Sequence, residues 1–197
     1  MGIARRIAIA TATVATALGT LAVVDVGAAS ATLGPHKAAD ATGTETCSGL
    51  SGSLSFKPAL TTSGTSPTTA SIAVKLSGCS GGTPSATSGT VTAKTSYTTN
   101  NCTKLASPPA TQVDTETVKW SPKTINASTT AFSAPSVSVG SDVTITLSKG
   151  LTTGSYAGSA STATLTVDST KAQLLAICEG KKGLSKLVIA SGSATVG

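Results

Sequence analysis

The segment CSGLSGSLSFKPALTTSGTSPTTASIAVKLSGC, residues 47–79, decides the fold of this chain. Apolar and polar residues alternate over residues 52–60, and they alternate again over residues 72–78. Because successive side chains of a strand point to opposite faces, each run predicts a strand with one apolar face and one polar face. The TTSGTSPTT between them is typical of a loop, so the segment predicts an antiparallel hairpin.

Cysteines lie at both ends of this hairpin. Antiparallel pairing brings Cys47 close to Cys79, which favours a disulfide between them and leaves Cys102 to pair with Cys178. Four cysteines permit three pairings, and the sequence alone does not choose among them. A bridge that closes a loop of this length stabilises a fold by roughly 3–4 kcal/mol in the chain-entropy model.

Short alternating runs continue towards the C-terminus. They are rich in Thr and Val, which favour a pleated, half-buried surface. One segment, 171–178, contains good helix formers and predicts a short helix with Ser169 as its cap. Eight or nine short strands in one domain predict a disulfide-stabilised antiparallel β-sandwich. Besides the hairpin, the clearest runs are 91–97, 143–147, 163–167 and 187–189.

One later stretch departs from the regular alternation. Val118 and Trp120 share their parity with Asp114 and Glu116. Either the strand starts near Thr117, or a bulge shifts its phase. The two carboxyls would suit a glycosidase, which needs an acid pair about 5 to 9.5 Å apart. A solvated strand face is the favoured interpretation, because Asp and Glu are mostly exposed in folded proteins.

The N-terminus has the pattern of a secretory signal peptide over residues 1–31. Two arginines precede an apolar run, 7–24, and an A-x-A cleavage site ends at Ala31. An uncleaved membrane anchor is the alternative. Residues 32–46 lack periodicity and are expected to form a flexible arm. The sequence therefore predicts a single β-sandwich domain over residues 47–197.

Composition and charge support an exported protein. The chain carries 14 Lys and Arg against 8 Asp and Glu, and both arginines lie in the predicted leader. An even number of cysteines in an exported chain indicates structural disulfides. We expect a secreted, extracellular protein, free or associated with the cell wall, that keeps no stable membrane anchor after cleavage. The lack of arginine and of any binding motif in the exported part argues against nucleic acid as a partner.

The residues that catalysis normally requires are scarce. The only histidine, His36, lies in the predicted arm, whereas a nucleophile needs a positioned base. The chain has no CxxC, no histidine pair, no P-loop and no dinucleotide fingerprint. We therefore predict no catalytic residues, no metal, no cofactor and no enzymatic activity.

Possible ligand-binding residues form an aromatic group and a lysine group. Aromatic rings stack on sugars, although a lone tryptophan in a sandwich is more often a core residue. Lysines at the polar positions of three successive strands suit anionic wall polymers, acidic glycans or lipid headgroups. Solubility and protection of strand edges explain these lysines equally well. The residues are Tyr97, Trp120 and Tyr156, and Lys57, Lys75 and Lys94.

Five short motifs follow one another along the chain after the leader. They are C-x4-G-x3-F-x-P-x-L from Cys47 to Leu60, LSGCSGG from Leu76, Asn101-Cys102, Val118-Lys119-Trp120, and C-x4-G-L-x2-L-x-I from Cys178 to Ile189. Their order resembles a group of small exported actinobacterial proteins of unknown function. The resemblance covers most of the chain after the leader and implies structural motifs without an established activity. The composition is also similar to that of the secreted enediyne-carrying apoproteins, and this analogy implies an immunoglobulin-like sandwich.

These features favour a secreted, non-enzymatic protein with a structural, adhesive or interaction role at or outside the cell envelope. Its expected partner is an envelope polymer, a glycan or another protein. The alternative is a module that binds a glycan or a small ligand. A glycosidase that uses the carboxylate pair is the third and least favoured hypothesis.

Overall fold

The computed structural model describes residues 37–105, 113–133, 136–139 and 142–197. The predicted signal peptide lies outside the described residues, as does the first part of the predicted arm. Within these residues the chain forms nine strands and two short helices. The elements are β1 (Glu45–Leu60), β2 (Thr68–Ser80), β3 (Ser88–Tyr97), α1 (Cys102–Leu105), β4 (Val113–Ser121), β5 (Ser128–Ser133), β6 (Ser136–Val139), β7 (Val143–Gly154), β8 (Ser161–Val167), α2 (Lys171–Glu179) and β9 (Leu184–Val196).

The strands form one closed antiparallel barrel and not the predicted immunoglobulin-like sandwich. Neighbouring strands follow the order β5-β4-β3-β2-β1-β9-β8-β7, and β7 pairs in turn with β5. The second half of β7 makes this closure, since Thr130 lies opposite Thr152. The first half of β7 pairs on the same edge with the short β6. Eight strands therefore close on themselves in up-and-down order, and β6 is an appendage.

The sandwich prediction is wrong because the alternation of apolar and polar residues does not show whether a sheet closes into a barrel. A strand has one buried face in a barrel and in a sandwich alike, so the same sequence pattern serves both. The interior of the barrel takes the apolar face of every strand. Its residues include Leu54, Val74, Val91, Leu165 and Ile189, all of which are buried.

The hairpin of β1 and β2 forms in the register that the sequence suggested. Cys47 lies opposite Cys79, and Leu54 lies opposite Ile72. Both strands are longer than predicted, and the pairing of β1 with β9 is irregular between Ser55 and Leu60, near the proline. The hairpin supplies two of the eight barrel walls.

The described part of the predicted arm packs against the barrel, which differs from the flexible segment expected from the sequence. Ala39 pairs with Ile125, and Thr42 pairs with Thr83. Ala41 is buried, and its backbone N–H donates to Ser155 Oγ at 3.1 Å. These contacts hold residues 37–44 at the end of the barrel where β1 begins.

Helix α2 follows the sequence prediction with one change at its cap. Thr170, one residue later than expected, accepts a hydrogen bond from the Gln173 N–H, and its own N–H donates to Gln173 Oε1 at 2.8 Å. This reciprocal capping box satisfies N–H groups that a helix start leaves without partners.

The chain contains two disulfides, and their pairing is the one that the sequence favoured. Cys47 bonds to Cys79 across β1 and β2, and Cys102 of α1 bonds to Cys178 of α2. Two disulfides indicate that the chain folds in an oxidising, extracellular environment. None of the helices in the described ranges is long and apolar enough to cross a membrane.

Candidate functional site

Lysines cover the outside of five neighbouring strands, β4, β3, β2, β1 and β9. Lys75 and Lys119 flank Thr90 in one row across three strands. Because strands lie about 4.8 Å apart, their Cα atoms are about 10 Å apart. We call this surface the lysine face; its lysines are Lys57, Lys75, Lys94, Lys119 and Lys186, and all five are exposed.

No carboxylate faces outward from these five strands within the described residues. Three acidic residues belong to them, and all three are buried: Glu45, Asp114 and Glu116. The outward residues between the lysines are mostly Ser and Thr. The lysine face is therefore a surface of one sign with hydroxyl groups between the charges. Such a surface attracts anions and is screened by salt.

An open groove of about 520 Å³ adjoins the lysine face at the end of β4. Lys119 and Lys123 line it together with Thr90 and Asn126. Its volume lies within the range of about 300–1,000 Å³ that is usual for ligand sites. Its lining also includes the apolar side chains of Trp120 and Ile125. The groove gives the lysine face a concave region with two lysines in its lining.

Two of the three aromatic candidates are buried in the barrel. Trp120 and Tyr156 meet edge to face, with ring centroids 5.0 Å apart and an interplanar angle of 85°. Tyr97 is only partly buried and borders an interior cavity. The structure therefore brings Trp120 and Tyr156 together as core residues, and Trp120 also borders the groove at the end of β4.

Polar contacts close the barrel end that contains these two rings. The Glu45 carboxylate is fully buried and accepts hydrogen bonds from the Gly82 N–H at 2.9 Å and from Ser85 Oγ. The Tyr156 hydroxyl donates to the Pro84 carbonyl at 2.8 Å. Burial and the nearby Glu45 carboxylate raise the pKa of Tyr156 to about 12, so the phenol stays protonated.

Side chains occupy much of the barrel interior, and two small cavities of about 30 and 50 Å³ lie among the described residues there. An eight-stranded barrel is wide enough to hold one small ligand or to be filled by its own side chains. Here large apolar residues such as Phe132, Leu147 and Leu165 occupy the interior. The larger cavity has room for roughly three to five water-sized groups.

The acid pair of β4 points into this interior. The strand runs unbroken from Val113 to Ser121, with neither the late start nor the bulge that the sequence suggested. Asp114 and Glu116 are therefore buried on the same face as Trp120, and the expected solvated face is absent. Thr95 Oγ donates to Asp114 Oδ1 at 2.7 Å.

Burial changes the acidity of one member of this pair. Desolvation, with a smaller contribution from the Asp114 charge, raises the pKa of Glu116 to about 7. A glycosidase needs space for a sugar between its two carboxyls. The adjoining cavity of about 50 Å³ is far below the usual size of a ligand site. The cavity beside the pair is therefore too small for a saccharide unit.

Sequence reasoning missed the buried acids and two lysines of the lysine face. Glu45 lies in the segment predicted to be a flexible arm. Lys119 lies in the strand for which the sequence left open where it starts and which residues face inward. The alternation of Lys119 with Val118 and Trp120 was a usable signal. No group of three His, Cys, Asp or Glu side chains in the described ranges is arranged to hold a metal ion.

No family model, curated protein or solved structure matches this chain. The resemblance to small exported actinobacterial proteins therefore stays a prediction.

Proposed function

We propose that this protein is a secreted, non-enzymatic binding protein that attaches to anionic polymers of the cell envelope through its lysine face. The observation that supports this role is the set of five exposed lysines on adjacent strands, with no outward carboxylate among them. The two disulfides agree with a site of action outside the cytoplasm. The interior cavities are too small for a polymer, so the outer surface is the favoured place for a polymer to bind.

A polymer suits this surface better than a small anion does. Each exposed ion pair contributes only about 0.2–1 kcal/mol, so a single contact would not hold a ligand. Repeated charges on one chain engage several lysines, and each later contact is intramolecular. Ser and Thr hydroxyls between the lysines add hydrogen bonds to sugar or phosphate oxygens. The groove beside Lys119 and Lys123 accepts one repeating unit.

Binding to insoluble cell wall is expected to weaken steeply with salt. The purified protein would be co-sedimented with isolated wall that carries anionic polymers, across 20 mM to 1 M salt. Because the Debye length shortens from about 10 Å at 0.1 M to about 3 Å at 1 M, contacts between exposed charges are lost. Chitin and cellulose, which are uncharged, serve as control polymers. Binding that survives 1 M salt would contradict this proposal and favour a glycan module.

Removing three charges from the lysine face should reduce wall affinity about tenfold at low salt. The variant replaces Lys75, Lys94 and Lys119 by glutamine, which keeps each side chain polar and exposed. Three exposed contacts at about 0.2–1 kcal/mol each correspond to a loss of this order. The measurement is the apparent Kd from co-sedimentation at 50 mM salt.

A second triple variant tests whether the position of the lysines or only the net charge of the protein determines wall binding. It replaces Lys149, Lys171 and Lys182, which are exposed and lie outside the lysine face, by glutamine. Net charge changes by the same amount in both variants. We expect the control to keep most of the affinity. An equal loss in the two variants would show that net charge alone drives binding and that the lysine face is not the site.

A further inference from the structure

Glu116 is an interior carboxyl group without a hydrogen-bond partner among the described residues. It is 8% exposed and lies opposite Thr130 of β5. Glu116 lines both interior cavities. Among the described residues, no side-chain oxygen that is fully enclosed lacks a hydrogen-bond partner, so the carboxyl of Glu116 reaches the open space of the cavities. A hydrogen-bond donor placed in that space would lower the free-energy cost of burying this carboxyl.

The larger cavity offers a specific shape and chemistry. Its volume is about 50 Å³, and its polar lining comes from Thr95, Tyr97, Asp114 and Glu116. Tyr97 and Val137, both only partly buried, border it at the barrel end opposite Trp120 and Tyr156. The remaining wall is mainly aliphatic and comes from Leu54, Ala70, Ile72, Ile145, Leu147 and Leu165.

A ligand that matches this cavity has a cationic hydrogen-bond donor at one end and a short apolar tail. An ammonium group donates to the Glu116 carboxylate, and charge-assisted hydrogen bonds of this kind are about twice as strong as neutral ones. The carboxyl of Asp114 on the same face adds negative potential at that end. The aliphatic wall accepts the tail. Room for roughly three to five water-sized groups limits the ligand to about four heavy atoms.

We propose that the cavity beneath Tyr97 and Val137 binds a short primary alkylammonium ion, with its ammonium group on Glu116. This site is inside the barrel and does not depend on the lysine face. The basic exterior and the acidic interior then recognise ligands of opposite charge. The cavity disfavours anions because its lining contains two carboxyl groups and no basic side chain.

The test compares three probes of nearly equal size at pH 8. They are n-propylammonium chloride, propan-1-ol and sodium propionate, added to the intact mature protein while amide and methyl NMR shifts are followed. Propylammonium should give saturable shifts with a Kd on the order of 1 mM, since a four-atom ligand has few contacts. Propanol should bind at least tenfold more weakly, and propionate should give no saturable shift.

Two variants connect the binding to Glu116. Glu116→Gln keeps the size of the side chain and removes its charge, and we expect at least a tenfold weaker Kd for propylammonium. Asp142→Asn removes an exposed carboxylate and should bind as the parent does. A thermal unfolding curve for each variant verifies that it is folded. Binding of propylammonium by Glu116→Gln at parental strength would overturn the proposal, as would the absence of saturable shifts in the parent.

The pH dependence of the parent gives a readout that needs no variant. Because the pKa of Glu116 is raised to about 7, most of its carboxyl is ionised at pH 8 and protonated at pH 6. The alkylammonium stays charged over this range, since aliphatic amines have a pKa of about 10. Affinity should fall roughly tenfold between pH 8 and pH 6, the change expected for one proton per ligand. A Kd that is constant over this range would exclude Glu116 as the binding group.

Discussion

Replacing Trp120 by alanine is expected to lower the free energy of unfolding by about 3–5 kcal/mol, the usual cost of removing a large aromatic side chain from a core. The ring is buried against Tyr156, and its Nε1–H donates to Ser128 Oγ at 2.8 Å. Ser128 Oγ donates in turn to the Ser155 carbonyl. The truncation therefore opens a cavity and breaks a hydrogen-bond chain that connects β4, β5 and the turn after β7.

Urea unfolding followed by far-UV circular dichroism measures this loss, because the variant lacks the only tryptophan and fluorescence is not comparable. Trp120→Phe should cost less, since most of the ring volume remains. The matched control is Leu151→Ala, whose side chain is 75% exposed and should change stability by less than about 0.5 kcal/mol. Similar values for Trp120→Ala and Leu151→Ala would mean that the ring does not support this end of the barrel.

The strands of this barrel could largely be predicted from period-two alternation, and its closure could not. Alternation identifies which residues of β1, β2, β3 and β8 face inward. Closure depends on where β7 changes partner, with Ile145 opposite Val137 of β6 and Leu151 opposite Ala131 of β5. Both pairs lie in one continuous strand. A bulge at Lys149 and Gly150 marks the change, since Lys149 has a φ of 55° and the register with β8 shifts there. A glycine inside a strand pattern suggests such a bulge, but it does not say which strand becomes the new partner.

The usual exposure of Asp and Glu led to a wrong prediction for the acid pair Asp114 and Glu116. Asp and Glu are rarely buried, so the parity that Asp114 and Glu116 share with Val118 and Trp120 suggested a break in the strand. The strand is continuous, and parity was the better guide. The lysine face was found in part because Lys57, Lys75 and Lys94 lie in the cleanest alternating runs. Lys119 was not predicted to face outward, because the sequence left open which residues of its strand face the interior.

The buried position of Glu116 makes a second large effect measurable, in the pH dependence of stability. Its pKa is about 7 in the folded chain, against an ordinary value of 4.5. Between these values the folded chain holds a proton that the unfolded chain releases. The free energy of unfolding therefore falls as pH rises from 4.5 to 7, and this contribution is constant above that range. The total loss is about 3 kcal/mol, since one pKa unit corresponds to about 1.4 kcal/mol.

Glu116→Gln should remove this dependence and leave the titration of the other carboxyls in place. We expect the variant and the parent to be similar in stability near pH 4.5, where Glu116 is protonated. At pH 8 the variant should be more stable by about 3 kcal/mol, because it avoids an ionised carboxyl in an apolar interior. Urea unfolding at half-unit steps from pH 4.5 to 8.5 measures the difference, with Asp142→Asn as the exposed control. Parallel curves for the parent and Glu116→Gln would contradict the burial of an ionisable Glu116. With the alkylammonium probe added at pH 8, the parent should recover part of this deficit, because a ligand that binds only the folded chain stabilises it.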